Sequence, residues 1–290
     1  MTWRFVSICN HAKLDFKMDY LEVRQKDTFQ RIHLSEIDTL MIESKAVALT
    51  SYLIVELVKR KINVIFCDEY HYPIAQMQDI KGAYNSSYKL SLQINWPSNI
   101  KDLVWQQIIQ WKILNQSYVL RYFGKDTSAS MLETYASEVI VGDKSRKESF
   151  AAKVYFNEIL GENHYRHDGS VVDIKLNYGY SLLLSAISRA IASNGCVTQF
   201  GIWHKGSSNN VNLSCDFIEP FRPIVDLIVL NQNQDDFTDA DKRELKQAFN
   251  QIFTFCNKQC YLSNIIADFT KAAIVTLNTE DLSQLKPFLL

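Results

Sequence analysis

Three separated segments of this chain interrupt an apolar pattern with side chains that bind metal ions. Glu148 opens the run Lys147-Glu-Ser-Phe-Ala-Ala-Lys-Val-Tyr-Phe and shares a helical face with Ala152, Tyr155 and Ile159. His204 closes Gly201-Ile-Trp-His and precedes the polar run Lys205-Gly-Ser-Ser-Asn-Asn. In Cys215-Asp-Phe-Ile-Glu-Pro-Phe-Arg-Pro-Ile-Val-Asp226, Asp216 and Glu219 stand three apart, so on a helix both carboxylates project to one side. Two carboxylates and an imidazole from three segments make a set for a divalent cation. Oxygen-rich ligation suits Mg2+ or Mn2+, whereas zinc would prefer more thiolate or imidazole. Such an ion polarises a phosphoryl oxygen and helps activate a hydroxyl or water.

Each piece alone also has a plainer reading. Glu148 is equally a first-turn glutamate favoured by the helix dipole. His204 is equally a structural hydrogen-bonder, and Arg222 is placed to form a buried ion pair with Glu219 or Asp226. Around these groups, Lys144, Arg146, Lys147, Lys153, Lys205 and Arg222 are candidates for phosphate contact, against the alternative of a solvated basic surface. Tyr178 and Tyr180 flank Gly179 and either support DNA or pack in the core; the glycine signals a close helix approach. His164-Tyr-Arg-His167-Asp168 is spaced too loosely for a metal clip and reads as a solvated loop.

The elements that must position these residues fall into two regions. Alternating apolar and polar residues predict strands at Trp3–Ile8, Tyr20–Arg24, Phe29–Leu34, Ile37–Ile42, Asn63–Cys67 and Tyr70–Ala75, with one helix from Ser44 to about Lys61. From about Lys89 the period becomes helical. Helices are expected at 103–114 and near 128–141, 147–160, 172–193, 216–231, 239–257 and 261–277. Pro220 and Pro223 lack donor N–H groups, so a continuous helix there would have to kink. The expected fold is α+β: a β-rich domain over 1–78, a linker over 79–88 and an α-helical domain over 89–290.

Composition narrows the function classes. The 290 residues have no glycine before Gly82, which excludes an N-terminal phosphate-cradling loop, and no nucleotide-binding fingerprint follows. No window approaches the apolar length of a membrane span, and the start lacks the pattern of a signal peptide, so a cytoplasmic location is expected. None of the six cysteines forms a Cys-x-x-Cys pair. Cys256 and Cys260 read as thiols packed on one helical face. The net charge is −1, but residues 81–205 carry 14 basic and 10 acidic side chains, a local +4. Residues 206–290 are acidic, with 7 basic against 11 acidic.

The string Leu176-Asn-Tyr-Gly-Tyr-Ser-Leu-Leu, then Gly201-Ile-x-His204, then Asp216-Phe-Ile-Glu219-Pro-Phe-Arg-Pro-x-x-Asp226 resembles the CRISPR-associated protein 1 family. Glu148 lies at the matching distance before the histidine, and the wording is most similar to versions from type II systems. The resemblance extends to the N-terminal region, including Leu53–Asp68. It implies a homodimer that joins spacer DNA to a CRISPR array by attack of a spacer 3′-hydroxyl on a repeat phosphodiester. It further implies CRISPR-associated protein 2 as a partner, with double-stranded DNA as substrate and contact with other type II adaptation proteins in prospect. Glu148, His204 and Glu219 match the catalytic metal ligands, while Asp216 matches an acidic position that either ligates the ion or holds a ligand. Trp203 stands where many relatives carry a second histidine. The competing functions are a metal-dependent endonuclease acting on branched DNA and a non-catalytic DNA-binding scaffold.

Overall fold

The computed structural model describes residues 4–77, 79, 84–161 and 169–290. The N-terminal part is built from β1 (Arg4–Ile8), β2 (Ala12–Lys17), β3 (Tyr20–Arg24), β4 (Phe29–His33), β5 (Ile37–Ile42), β6 (Val47–Leu49), α1 (Ser51–Lys59), β7 (Asn63–Cys67) and β8 (Pro73–Gln76). Two four-stranded sheets result, in the orders β1-β5-β7-β8 and β4-β3-β2-β6. In the first, β5 runs parallel to both β1 and β7, and β8 closes the edge antiparallel. A parallel pair needs a crossover, and α1 supplies it between β5 and β7. Leu14, Leu21, Leu40, Leu53, Leu57 and Val64 make the core between the sheets and α1.

The helix begins later than the sequence pattern predicts. Residues 47–49 pair with β2 instead, and Thr50, not Ser44, accepts the N–H of Leu53 as the cap. The strand Ala12–Lys17 has no counterpart among the expected elements, and the last strand lies at Pro73–Gln76.

The helical part contains α2 (Ser86–Ile94), α3 (Ser98–Tyr122), α4 (Asp126–Ser137), α5 (Lys147–Leu160), α6 (Val171–Ser193), α7 (Asn212–Phe217), α8 (Arg222–Asn231), α9 (Asp239–Gln247) and α10 (Leu262–Thr279). α2 starts inside the span read as a linker, of which residues 80–83 lie outside the described residues. The stretch expected as one helix over 216–231 is divided: α7 ends at Phe217, a 3₁₀ turn carries Glu219–Phe221, and Pro223 sits in the first turn of α8, where its missing N–H costs nothing.

The expected helix over 239–257 also stops early. A hairpin follows, with β9 (Ile252–Phe255) antiparallel to β10 (Lys258–Tyr261). Cys256 therefore lies exposed in the turn and Cys260 on the second strand, not together on a helical face. Residues Cys256 and Asn257 both take positive φ, the geometry of a tight hairpin turn.

The two parts share an interface. Met41, Ile65 and Cys67 turn from the first sheet into the core of the helical part. Three polar ties add to this: Lys246 Nζ on α9 to Glu43 Oε1 at 2.6 Å, Arg189 on α6 to Asp38 at 2.8 Å, and the Tyr72 hydroxyl to the carbonyl of Ile174 at 3.1 Å. Gly179 on α6 is the close approach that its sequence context suggests, since a Cβ there would strike Val225 of α8. Among the described residues, no helix is long and apolar enough to cross a membrane.

Candidate metal centre

The floor of the site is one face of α3. Trp105 and Lys112 are two turns apart and Asn115 lies one turn further, so all three project to the same side. Asn115 donates its amide to the carbonyls of Pro220 and Phe288 at 2.8 and 3.1 Å, which fixes the 3₁₀ turn carrying Glu219. Glu148 arrives on the first turn of α5. Asp143 ends an irregular turn with positive φ at Gly142 and Asp143, and its carboxylate accepts the N–H groups of Lys147 and Glu148 at 2.8 and 3.1 Å. That bond satisfies orphan donors at the helix start and sets the direction in which Glu148 enters.

His204 is held by α7. Asp216, fully buried, accepts the backbone N–H groups of Ile202, Trp203 and His204 at 2.6, 3.2 and 3.0 Å and pairs with His204 Nδ1 at 2.7 Å. One turn earlier on the same helix, Asn212 donates to the carbonyls of Gln199, Gly206 and Asn209. The loop wraps so tightly that a Cβ at Gly201 would lie 2.6 Å from the Asp216 carboxylate and 2.5 Å from the His204 carbonyl. The polar positions that interrupt the apolar pattern of this segment thus have a local purpose: α7 turns them toward the 199–209 loop.

Lys112 brings the two glutamates together. Its Nζ lies 2.6 Å from Glu148 Oε1 and 2.5 Å from Glu219 Oε2. Arg222 Nε donates to the other oxygen of Glu219 at 2.9 Å and its guanidinium sits 4.6 Å from the centre of the Tyr180 ring. The Tyr180 and Tyr155 hydroxyls in turn donate to Asp226. Burial alone would raise the Glu219 carboxyl, but Arg222 and Lys112 hold it well below the usual carboxylate range. Burial likewise works against the Lys112 ammonium, and Glu219 with Glu148 outweighs it and pushes that group up. The Asp216 hydrogen bond pushes His204 up, against burial, with further contributions from Asp216, Glu219 and Glu148.

The donor set suits a divalent cation in kind. Two carboxylates from different helices already share one positive charge, and Glu219 Oε2 is buried with no aligned hydrogen bond even though the ammonium is near. Asp216 can only accept, so His204 Nδ1 donates to it and the neutral ring carries its free lone pair at Nε2, where it could meet a cation. In position the set is looser: among the described residues, no three carboxylate, imidazole or thiol groups converge on a single point. Asp216 itself has four donors on its two oxygens, which fills their capacity, so it acts by holding His204.

The candidates for DNA contact separate by environment. Arg146, Lys153, Lys205 and Lys144 are exposed. Lys147 is engaged within the protein, paired with Glu138 and 5.0 Å from the centre of the Tyr135 ring. Arg222 is committed to Glu219. Tyr178 is a correction: it is fully buried, edge-on to Tyr72 and Phe237, and presents nothing to a ligand. The His164–Asp168 run lies outside the described residues. Lys112, Asp143, Asn115 and Trp105 were not singled out from sequence. The available signal was polar Lys112 and Asn115 one turn apart in a helix otherwise crowded with Ile108, Ile109, Trp111 and Ile113.

The model of the family described as CRISPR associated protein Cas1 matches residues 7–157 and 169–253. A CRISPR-associated endonuclease Cas1 of Neisseria meningitidis serogroup C (strain 8013) is 35% identical over 231 residues, 80% of this chain and 76% of that protein. In fold, the chain matches a casposase bound to integration product with a TM-score of 0.76 at 18% identity, covering 97% of this chain and 92% of the other. It also matches a chain of a partial Cas6-RT-Cas1–Cas2 complex with a TM-score of 0.67 at 18% identity, over 98% of both. The sequence match spans both glutamates, the histidine and the residues that hold them, and on that ground the chain belongs to the CRISPR associated protein Cas1 family.

Proposed function

We propose that this chain is a metal-dependent DNA strand-transferase that inserts spacers into a CRISPR array, with Glu148, Glu219 and Nε2 of His204 as ligands of Mg2+ or Mn2+. The observation that carries the reading is the single ammonium of Lys112 seated against both glutamates. Two anions gathered around one cation, from segments far apart in sequence, make a place for positive charge. The bound ion would supply Lewis-acid polarisation of a phosphoryl oxygen. The chain does the rest. Arg222 keeps Glu219 ionised, Asp216 takes the Nδ1 side of His204 so that the neutral ring presents its lone pair at Nε2, and Asp143 and Asn115 hold the two glutamates in place. Rate then comes from positioning a DNA 3′-hydroxyl against the target phosphorus.

The casposase structure with its integration product supports strand transfer, and the endonuclease name of the Neisseria relative supports the alternative of an endonuclease. The Cas1–Cas2 complex supports a second, Cas2-type subunit as partner. We read the working form as a homodimer joined through the N-terminal part, where Met18, Phe29, Tyr52 and Val55 are exposed apolar side chains. The test is a duplex with free 3′-hydroxyls offered with Mn2+ or Mg2+ and a supercoiled plasmid bearing a CRISPR repeat, with and without the partner. Joined product is expected from the 3′-hydroxyl duplex and none from its 3′-phosphate twin. Equal nicking by both, with nothing joined, makes the chain a hydrolase.

A further inference from the structure

Trp203 is a large aromatic side chain left 42% exposed beside the most polar site of the protein. It is not loose. Its ring lies parallel to Trp105, at 5.4 Å between centroids and 7° between planes, and Trp105 is only 1% exposed. Its backbone N–H is tied to Asp216 at 3.2 Å, and the next residue is His204. Trp105 also meets the His204 ring edge-on at 5.9 Å and 88°. One buried indole on α3 therefore orients both the candidate ligand and the exposed ring. A stacked indole has two faces, and Trp105 covers one of them.

We propose that Trp203 is a stacking platform for an unpaired base of the DNA strand that enters the metal centre. The proposal rests on the function argued above and adds a substrate feature to it. Aromatic side chains bind bases through the π-face and do so with little regard to sequence. A base inside a duplex has both faces covered by its neighbours, so an indole that is 42% exposed would stack on an unpaired or terminal base. Exposed Lys205, two residues along, supplies a cation for the phosphate of the same strand.

Binding can be measured without chemistry, by fluorescence anisotropy in the presence of a chelator, using two labelled duplexes of equal paired length. One is blunt; the other carries short single-stranded 3′ tails. The wild-type protein is expected to prefer the tailed duplex, and Trp203→Ala to weaken it by roughly tenfold while leaving the blunt duplex unchanged. Trp203→Phe should recover most of the preference. Abasic tails should bring the wild-type protein down to the Trp203→Ala level, an arm that needs no variant to fold. An unaltered Mn2+-induced melting shift in Trp203→Ala will show that the His204 loop is intact. Equal affinity of the wild-type protein for both duplexes overturns the platform and leaves the strand-transferase reading standing. Binding of neither duplex overturns both.

Discussion

Lys112 Nζ stands 2.5 Å from Glu219 Oε2 and, through the same nitrogen, 2.6 Å from Glu148 Oε1. On the proposed function, the ammonium holds the place between the glutamates that a divalent cation would take. The ion would then have to displace it, and metal affinity would be the difference between two cations' interactions with one pair of anions. Lys112→Met removes the competitor. The metal-free variant is expected to melt below wild type, because Glu148 and Glu219 then face each other uncompensated. Its stabilisation by added Mn2+ should be larger than that of wild type at every concentration, as mass action requires for a tighter ligand. Melting curves in chelator and across a Mn2+ titration measure both quantities. Identical increments in the two proteins would mean that Lys112 and the ion do not compete.

The two glutamates differ in what their removal does to the fold. Glu148 is partly exposed and shares Lys112 with its neighbour, so Glu148→Ala is expected to abolish strand transfer with a melting temperature close to wild type. Glu219 is buried and bonded to both Lys112 and Arg222. Taking it away leaves Arg222 without its carboxylate and Lys112 with Glu148 alone, and breaking a buried pair costs about 3–5 kcal/mol. Glu219→Ala should therefore lose activity and stability together, while Glu219→Gln, which keeps the shape and one acceptor, loses activity with less of the stability. Chemical denaturation beside the strand-transfer assay separates these outcomes. Equal stability for Glu148→Ala and Glu219→Ala would contradict the arrangement of charges described here.

Legibility from sequence followed the reach of the interactions. Glu148, His204 and Glu219 each break an apolar pattern within their own segments, yet each admits a plainer reading there, and it is the family resemblance that singles them out. Asp216 was visible as a partner, but its role as the anchor of the 202–204 backbone depends on the loop closing over α7, which no spacing encodes. Lys112 was invisible for a related reason. A lysine in a long amphipathic helix reads as solvent-facing, and only the packing of α3 under both α5 and the Glu219 turn makes it central. In the fold, most of the alternating strands are legible, but β2 is missed although Ala12–Lys17 alternates, and the short β6 is missed because residues 47–49 are apolar enough to continue a helix and become a strand only because β2 is beside them. The β9–β10 hairpin was hidden likewise, its residues Ile252, Phe253 and Phe255 fitting a helical stripe as readily as a strand.

DNA affinity is expected to fall steeply with salt in spite of a net charge of −1, because counterion release depends on local phosphate contacts and not on the total. Arg146, Lys153 and Lys205 are exposed, whereas the ammonium of Lys147 is spent on Glu138. Replacing any of the first three by alanine should lower the slope of log affinity against log salt by about 1. Lys147→Ala should change it less. Titrations of one duplex at several salt concentrations give the slopes directly. A slope unchanged by all four substitutions would place the DNA on another face.

The Glu43–Lys246 pair yields a pH prediction away from the metal centre. It joins the end of β5 to α9 and is buried on both sides, so it helps dock the N-terminal part on the helical part. Burial acts to raise the Glu43 carboxyl, but the Lys246 bond and charge outweigh it, and the folded-state value is lowered from the ordinary 4.5. A carboxyl lowered on folding contributes stability that is complete above its unfolded value and disappears as pH falls through the folded one. The contribution should therefore be present at pH 7 and fade below about 4.5. Glu43→Gln removes the charge while keeping the shape, leaving Lys246 buried without a counter-ion. At neutral pH it is expected to cost about 3–5 kcal/mol, the range for breaking a buried pair. As the pH is lowered, wild type should converge toward the variant, because protonation of Glu43 does to wild type what the substitution has already done. Urea denaturation of both proteins from pH 7 down to pH 3 measures the gap. A gap that stays constant across that range would show that the pair's ionisation contributes nothing, and that the variant fails through packing alone.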